Sequence, residues 1–272
     1  PGLSTDGGMA EYLLTSARAC VKLDPATRPQ DVAALADAGI TAYHAVRKAV
    51  PLLYPGTTAV VIGAGGLGHI GIQCLAALTA TTIVVVDRNP AALKLAEQLG
   101  ASRAIVADGG HVAAVRELTD GRGADVVLDF VAEQGAEADG WQMTGRAGSY
   151  FVIGYGGTVH IPTLDIISTE RNIIGNIVGT YNDLAELMSL AQAGKVTLHT
   201  RAYPLAAAPD ALADLDAGRV RGRAILVPLS VCPRGPSPLS TRGTEYPPGH
   251  PPTSYRTTPV SRQLKQRSIT YG

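Results

Sequence analysis

The sequence predicts an α/β protein built on one doubly wound parallel sheet, and three observations predict it. Strand-like and helix-like patterns alternate from Thr57 onward. A glycine-rich segment, Gly63-Ala64-Gly65-Gly66-Leu67-Gly68, sits directly between one such strand and the helix that follows. An acidic residue, Asp87, closes the next strand, nineteen residues after Gly68.

Taken in order, the first 38 residues stand outside the alternation. Residues 9–14 and 19–23 are expected as short strands, and Pro29, suited to a first helical position, starts a helix running toward Asp37. The alternation then opens with a strand at 59–62, a helix at 67–78, a strand at 82–86 and a helix at 91–99. Those two strands are β-branched and uncharged, as strands covered on both faces are. Further units follow at 104–106, 112–118, 125–130, 149–153 and 173–178, giving about six strands, the number in a full dinucleotide-binding fold. Beyond Val178 come a helix at 183–193, a strand at 198–203, a helix at 209–215 and a strand at 224–227. Together with the first residues, these flanking pieces imply a second domain made from both sides of the sheet.

Composition narrows the class. At 272 residues and 46% apolar content the chain can fill a substantial core. Formal charge is zero, yet residues 229–272 hold six Lys/Arg against one Glu, leaving residues 1–228 net negative; nothing suggests a nucleic-acid face. Cys20, Cys74 and Cys232 lie far apart without a C-x-x-C pair, so neither a four-cysteine metal knot nor a disulfide scaffold is encoded, and a reducing cytoplasm fits. No signal peptide opens the chain, and its first residue is not Met, so sequence upstream of Pro1 is expected to be missing. No charged side chain occurs from Ala49 to Val86, but Gly63, Gly65, Gly66, Gly68, Gly71 and His69 interrupt that stretch, which reads as two buried strands around a helix and not as a membrane span. Residues 229–272, with eight of the eighteen prolines, six Ser and six Thr, cannot bury enough apolar surface to offset ordering entropy and are expected to be disordered. A basic docking tail is the functional reading of that segment; a stretch with no evolved role, such as out-of-frame translation after Pro228, is the favoured one.

The chemistry concentrates in the glycine segment. Gly63 permits a tight turn, Gly65 lets backbone approach a pyrophosphate, Gly68 lets helix and strand pack closely, and the helix N-terminus offers unpaired N–H groups to the anion. Asp87 stands where a carboxylate accepts hydrogen bonds from the adenosine ribose hydroxyls, which selects NAD. A 2′-phosphate there would meet like charge at about 4 Å, costing on the order of a few kcal/mol, although Arg88 next door softens the penalty.

Gly7-Gly8-Met9-Ala10-Glu11-Tyr12, Ala36-Asp37-Ala38-Gly39-Ile40-Thr41-Ala42-Tyr43, the 63–68 loop and Gly222-Arg223 resemble, in order and spacing, the zinc-dependent medium-chain alcohol dehydrogenases. The resemblance covers residues 2–228. It implies a Rossmann dinucleotide-binding domain at 43–178, flanked at 1–42 and 179–228 by remnants of a split GroES-like catalytic domain, with 229–272 as an unrelated tail. It further implies Asp37 as the third protein ligand of a catalytic zinc, for which an oxygen ligand is chemically reasonable. Thr41 would touch the nicotinamide ring, with Leu67 behind it. Backbone near Val131, Ile153, Asn176 and Val178 would line the cofactor and grip its carboxamide, and Arg223 would pair with the pyrophosphate. The family's cysteine and histidine zinc ligands, the adjacent glutamate, the proton relay and the structural-zinc lobe are expected upstream of Pro1. None of His44, His69, His111, His160, His199 or His250 forms an H-x-x-H or H-E-x-x-H pair that could replace them; His69 reads as a cofactor-side or capping residue. The implied activity is NAD-dependent oxidation of a small alcohol, or the reverse reduction of a carbonyl, by a cytoplasmic homo-oligomer whose zinc belongs to the longer parent; this chain is expected to bind NAD without turnover. A zinc-free NADPH quinone reductase of the same superfamily is disfavoured by Asp37, Asp87 and Gly63. A non-catalytic NAD-binding module is disfavoured by the two flanking segments.

Overall fold

The computed structural model describes residues 6–228; the 229–272 segment, with Cys232 and His250, lies outside the described residues. In chain order the elements are α1 (Pro29–Val32), α2 (Ala38–Ala49), β1 (Thr58–Ile62), α3 (Gly68–Leu78), β2 (Thr82–Asp87), α4 (Pro90–Gln98), β3 (Arg103–Val106), α5 (His111–Leu118), β4 (Ala124–Asp129), α6 (Ala136–Met143), β5 (Thr144–Val152), α7 (Thr163–Thr169), β6 (Asn172–Gly175), α8 (Tyr181–Gln192), β7 (Thr200–Pro204), α9 (Ala208–Asp216) and β8 (Arg223–Val227).

Six strands form one parallel sheet in the order β3-β2-β1-β4-β5-β6. The order reverses between β1 and β4, which opens a crevice at the carboxyl ends of those two strands. Alternate side chains of each strand point to opposite faces, and both faces are covered. Ala59, Val61, Val85, Leu128 and Phe151 pack with Val46, Ile70, Leu75 and Leu187 of α2, α3 and α8. Val60, Ile62, Val84, Val86, Val127 and Tyr150 pack with Val115, Trp141 and Met143 of α5 and α6. This double cover is why β1 and β2 read as uninterrupted apolar runs. A separate parallel pair, β7 with β8, follows the sheet. Among the described residues no helix is long and apolar enough to cross a membrane.

Two expectations about the first residues fail. Residues 9–14 and 19–23 form no strand; the only regular element there is a 3₁₀ turn at Ala17–Ala19. A strand is held by a neighbour's ladder of hydrogen bonds, and among the described residues no strand runs beside either segment, so Tyr12 and Leu14 stay exposed. The helix beginning at Pro29 also stops early. It passes into a 3₁₀ turn at Ala33–Ala36 and breaks at Asp37, whose φ of −129° and ψ of −73° are not helical. Helix α2 then starts afresh and runs through residues 42 and 43, where a domain boundary was expected. Helices α2, α6 and α7 were not anticipated; β5 is longer than expected and β6 shorter.

Helix α2 matters because it joins the flanking segments to the sheet domain. Its Gly39 lies so close to Leu35 and Leu187 that a Cβ would stand 2.7 and 2.9 Å from their methyl carbons. The polar side of the α2–α8 contact centres on Asp183, buried in the first turn of α8. Its carboxylate accepts from the N–H and hydroxyl of Thr180, both at 2.7 Å, from His44 Nδ1 at 3.0 Å and from Arg47 at 3.1 Å. Burial alone would raise the Asp183 pKa, but these bonds more than offset it and hold the group at about 2. A carboxyl depressed in the folded state stabilises fully above its unfolded pKa, near 4, and loses that contribution as pH falls toward the folded value of about 2. Asp183→Asn should therefore destabilise the protein by about 1–3 kcal/mol at neutral pH and flatten the loss of stability between pH 4 and 2. Urea unfolding of both proteins across that range checks this; an unaltered pH slope would assign the tie to packing alone.

Candidate functional site

The crevice between β1 and β4 is framed by the glycine loop. Gly63 leaves β1 with φ of +86°, and its N–H donates to the Val86 carbonyl at 2.8 Å, so the turn stays locked to β2. A Cβ on Gly63 would stand 2.7 Å from Val131, just beyond β4. A Cβ on Gly68 would stand 1.7 Å from the Gly63 carbonyl oxygen, so only glycine fits where α3 begins. Gly65, by contrast, has nothing within 4 Å of its Cβ position. Tight closure at 63 and 68 and open space above 65 present backbone N–H groups to a ligand at the N-terminus of α3. Leu67 caps that helix and packs partly into the core, with Gly66 beside it.

Asp87 is fixed by the same loop. One carboxylate oxygen accepts from Ala64 N–H at 2.6 Å and the other from Asn89 N–H at 2.7 Å, which leaves each oxygen further lone pairs to accept from a ligand hydroxyl. Asp87 and Gly63 line a cleft of about 400 Å³. Arg88, which lines the same cleft, donates to the side-chain oxygen of Gln134 at 2.9 Å. His111 and Asp139, bonded at 2.9 Å, also line the cleft, and no motif in the sequence marks that pair.

On the other side of the crevice, buried Asp129 organises the turn after β4. Its side chain accepts from Val131 N–H at 2.9 Å, Ala132 N–H at 2.8 Å and Tyr150 Oη at 2.7 Å. Burial raises the Asp129 pKa against those bonds. Ile153 N–H donates to the Asp129 carbonyl and Asn176 N–H to the Val152 carbonyl, both at 3.0 Å, so Val131, Ile153 and Asn176 stand in a row at the strand ends. The Asn176 side-chain oxygen is buried without a partner. Val178, two residues on, has φ of +44°, a strained conformation for a β-branched residue.

The remaining expected site residues, Asp37, Thr41 and Arg223, lie in the segments on either side of the sheet, with Asp37 bonded to both of the others. Thr41, in the first turn of α2, donates its hydroxyl to the Asp37 carbonyl at 2.7 Å. The Arg223 guanidinium, whose side chain is 15% exposed, meets the Asp37 carboxylate at 3.2 Å, and its Nη1 is buried with no partner among the described residues. Arg223 is placed by its N–H, which donates to the His199 carbonyl at 2.9 Å, and by Gly222, which the same carbonyl approaches too closely for any Cβ. His69 sits in the first turn of α3, buried, with Nδ1 2.8 Å from the Gly65 carbonyl. That carbonyl can only accept, so Nδ1 carries the proton, and Nε2 is a buried acceptor without a partner. Burial, with help from the charge of Arg223 and from His199, lowers the His69 pKa to about 4, so the ring is neutral at physiological pH and serves the loop.

Of the expected cofactor residues, Gly63, Asp87, Arg88 and Val131 line one cleft together, whereas Thr41, Ile153, Asn176, Val178 and Arg223 are not among its lining residues. Open space above Gly65 fits the approach of a pyrophosphate. A zinc ion is not fitted: among the described residues no group of three or more His, Cys, Asp or Glu could hold one, and Asp37 is engaged by Arg223.

Residues 66–193 match the zinc-binding dehydrogenase family model. An NAD-dependent alcohol dehydrogenase of Sulfurisphaera tokodaii is 35% identical over 233 residues, covering 84% of this chain and 66% of the relative. A D-arabinose 1-dehydrogenase (NADP(+)) of Saccharolobus solfataricus is 33% identical over the same shares of the two chains. The crystal structure of the alcohol dehydrogenase from Aeropyrum pernix superposes with a TM-score of 0.81 at 43% identity, over 84% of this chain and 67% of that one. The chain therefore spans 66% of the length of the Sulfurisphaera relative.

The two glycines separate folding from binding. Gly68→Ala should lower the thermal midpoint strongly, since its methyl overlaps backbone. Gly65→Ala should leave the midpoint nearly unchanged and weaken only dinucleotide affinity. Thermal unfolding with NAD titration distinguishes the two, and equal loss of stability in both would contradict the assigned geometry.

Proposed function

The chain belongs to the zinc-dependent medium-chain alcohol dehydrogenases, and from that membership we propose that it binds NAD in the crevice and supplies the hydride-accepting half of an enzyme that interconverts alcohols with aldehydes or ketones. The observation that carries the reading is the pairing of the closed glycine loop with a carboxylate, Asp87, whose two oxygens are already oriented by backbone N–H groups. The α3 N-terminus takes the pyrophosphate, Asp87 takes the ribose hydroxyls, and the backbone of Val131, Ile153, Asn176 and Val178 orients the nicotinamide end. Bound there, the nicotinamide accepts the hydride; the protein's part is position and exclusion of competing reactions.

NAD should bind at least about tenfold tighter than NADP, because a 2′-phosphate would meet the fixed Asp87 carboxylate and Arg88 is turned toward Gln134. Asp87→Ser should narrow that gap. Fluorescence titration with both dinucleotides decides it; equal affinities in the unmutated chain would remove NAD preference from the reading.

We further propose that the flanking segments 1–42 and 179–228 belong to the second, catalytic domain, and that the 272-residue chain binds NAD without alcohol-dependent turnover. Catalytic zinc sites take three protein ligands and a water, and among the described residues no three His, Cys, Asp or Glu side chains come together to hold one. Purified chain should therefore carry no stoichiometric zinc and form no NADH with primary or secondary alcohols, while retaining NAD affinity. Metal analysis, NADH absorbance and NAD titration on the same preparation test this. Steady turnover would overturn the claim of inactivity, and absent NAD binding would overturn the functional reading itself.

A further inference from the structure

The cleft at Asp87 holds one polar pair that dinucleotide binding, as described so far, leaves without a use. His111 opens α5, Asp139 lies in the first turn of α6, and both line the cleft. They are bonded at 2.9 Å between His111 Nε2 and Asp139 Oδ2. An ionised carboxylate can only accept, so Nε2 carries the proton and the imidazole fixes the direction of the carboxylate. The His111 side chain is 9% exposed and that of Asp139 34%, so the ring is the buried support and the carboxylate is the member a ligand can reach. Among the described residues no other group is bonded to the Asp139 carboxylate, which leaves Oδ1 free to accept.

The other charged groups of the cleft are already engaged. Asp87 accepts from the Ala64 and Asn89 N–H groups, and Arg88 donates to Gln134 through both terminal nitrogens. Glu133 lies against Gly156, where a Cβ would stand 2.7 Å from its Oε2. Much of the remaining wall is apolar, formed by Ile62, Val86, Ala107, Val131, Ala136 and Met143. Such a wall suits the faces of a flat heterocycle, and a single unengaged acceptor suits a donor on its rim. Asp87 and Asp139 line one cleft, so the base attached to a ribose held at Asp87 enters the space where Asp139 is the available acceptor. Adenine carries such a donor, its exocyclic amino group.

We propose that Asp139, its other oxygen held by His111, accepts a hydrogen bond from the exocyclic amino group of the cofactor's adenine and makes the cleft selective for a base that carries that group. The inference rests on the NAD-binding reading and adds a specificity-determining residue at the adenosine end. A base without the amino group leaves the carboxylate facing it unpaired, which is the source of the discrimination.

The test is calorimetric displacement of NAD by AMP and by purine riboside 5′-monophosphate, which differ only in the amino group. The unmutated chain should bind AMP about tenfold tighter, the scale of one hydrogen bond to a charged group. Asp139→Asn keeps the side chain's size and turns its amide oxygen to the His111 N–H, so an N–H group stands where the free acceptor was. This variant should bind the two mononucleotides within about twofold of each other, with AMP weakened and the purine analogue unchanged, and its thermal midpoint is measured alongside. Equal affinities in the unmutated chain, a preference that persists in Asp139→Asn, or an equal loss for both mononucleotides in that variant would each overturn the proposal while NAD binding stands. If the unmutated chain binds no NAD, the functional reading fails first and this inference falls with it.

Discussion

The carbonyl of Gly63 and the Cα of Gly68 come so close that a methyl group on Gly68 would stand 1.7 Å from the oxygen, and the arrangement of the crevice depends on that contact. It brings the start of α3 directly onto the end of β1. The unpaired N–H groups of the helix then face the point where the strand order reverses. A second close approach, Gly71 against the Phe130 ring at 2.8 Å from its Cβ position, keeps α3 lying along β4. Glycine is needed at 63 for conformation and at 68 for space; at 65 neither holds, which leaves the approach of a ligand as the physical use for that residue.

Charge is handled within the protein by a common device. Asp87, Asp129 and Asp183 each sit at the edge of an element and accept from backbone N–H groups close by in sequence or from the adjoining strand. Each converts an acidic side chain into a clamp on a turn. For Asp129 burial prevails and its pKa rises; for Asp183 the additional bonds from Thr180, His44 and Arg47 prevail and it falls. Among the described residues the Arg223 side chain is paired with one carboxylate, that of Asp37.

The sheet was legible in the sequence because β1, β2 and β4 are buried on both faces, and burial on both faces demands the unbroken apolar runs that pattern detects. Helix α3 was legible for the same reason. Helix α6 was not: Ala136–Met143 contains Glu137, Asp139 and Gly140, and its burial through Trp141 and Met143 depends on a sheet face that no local window contains. The 9–14 and 19–23 segments carry strand-like patterning, but pattern cannot state whether a partner strand is present. In the site, the glycine loop and Asp87 were visible because a turn and a phosphate impose residue types at fixed spacing. The Asp37–Arg223 contact spans 186 positions in sequence and is invisible to any local reading. So is the His111–Asp139 pair on the far side of the cleft.

Among the described residues six non-glycine positions hold positive φ, and three of them follow strands of the central sheet at its carboxyl edge. Ala132 and Gln134, after β4, and Val178, after β6, all hold positive φ without being glycine, at a cost of about 1–3 kcal/mol each. Val178 is the least suited of the three, since a β-branched side chain crowds the left-handed conformation. Its neighbour Gly179 explains how the turn is held. A Cβ there would meet Ile40 Cγ1 at 2.8 Å and the Ile40 carbonyl at 3.1 Å, so the chain after β6 is pressed against the first turns of α2. Helix α2 is itself tied to α8 through Asp183, and Asp37 immediately precedes its first residue, Ala38. The strained turn at 178, the hydroxyl of Thr41 and the Asp37–Arg223 pair are thus attached to one rigid element. Displacing α2 would disturb the turn at 178, Thr41 and the Asp37–Arg223 pair together, and α3 with them, because Val46 and Ile70 share one core.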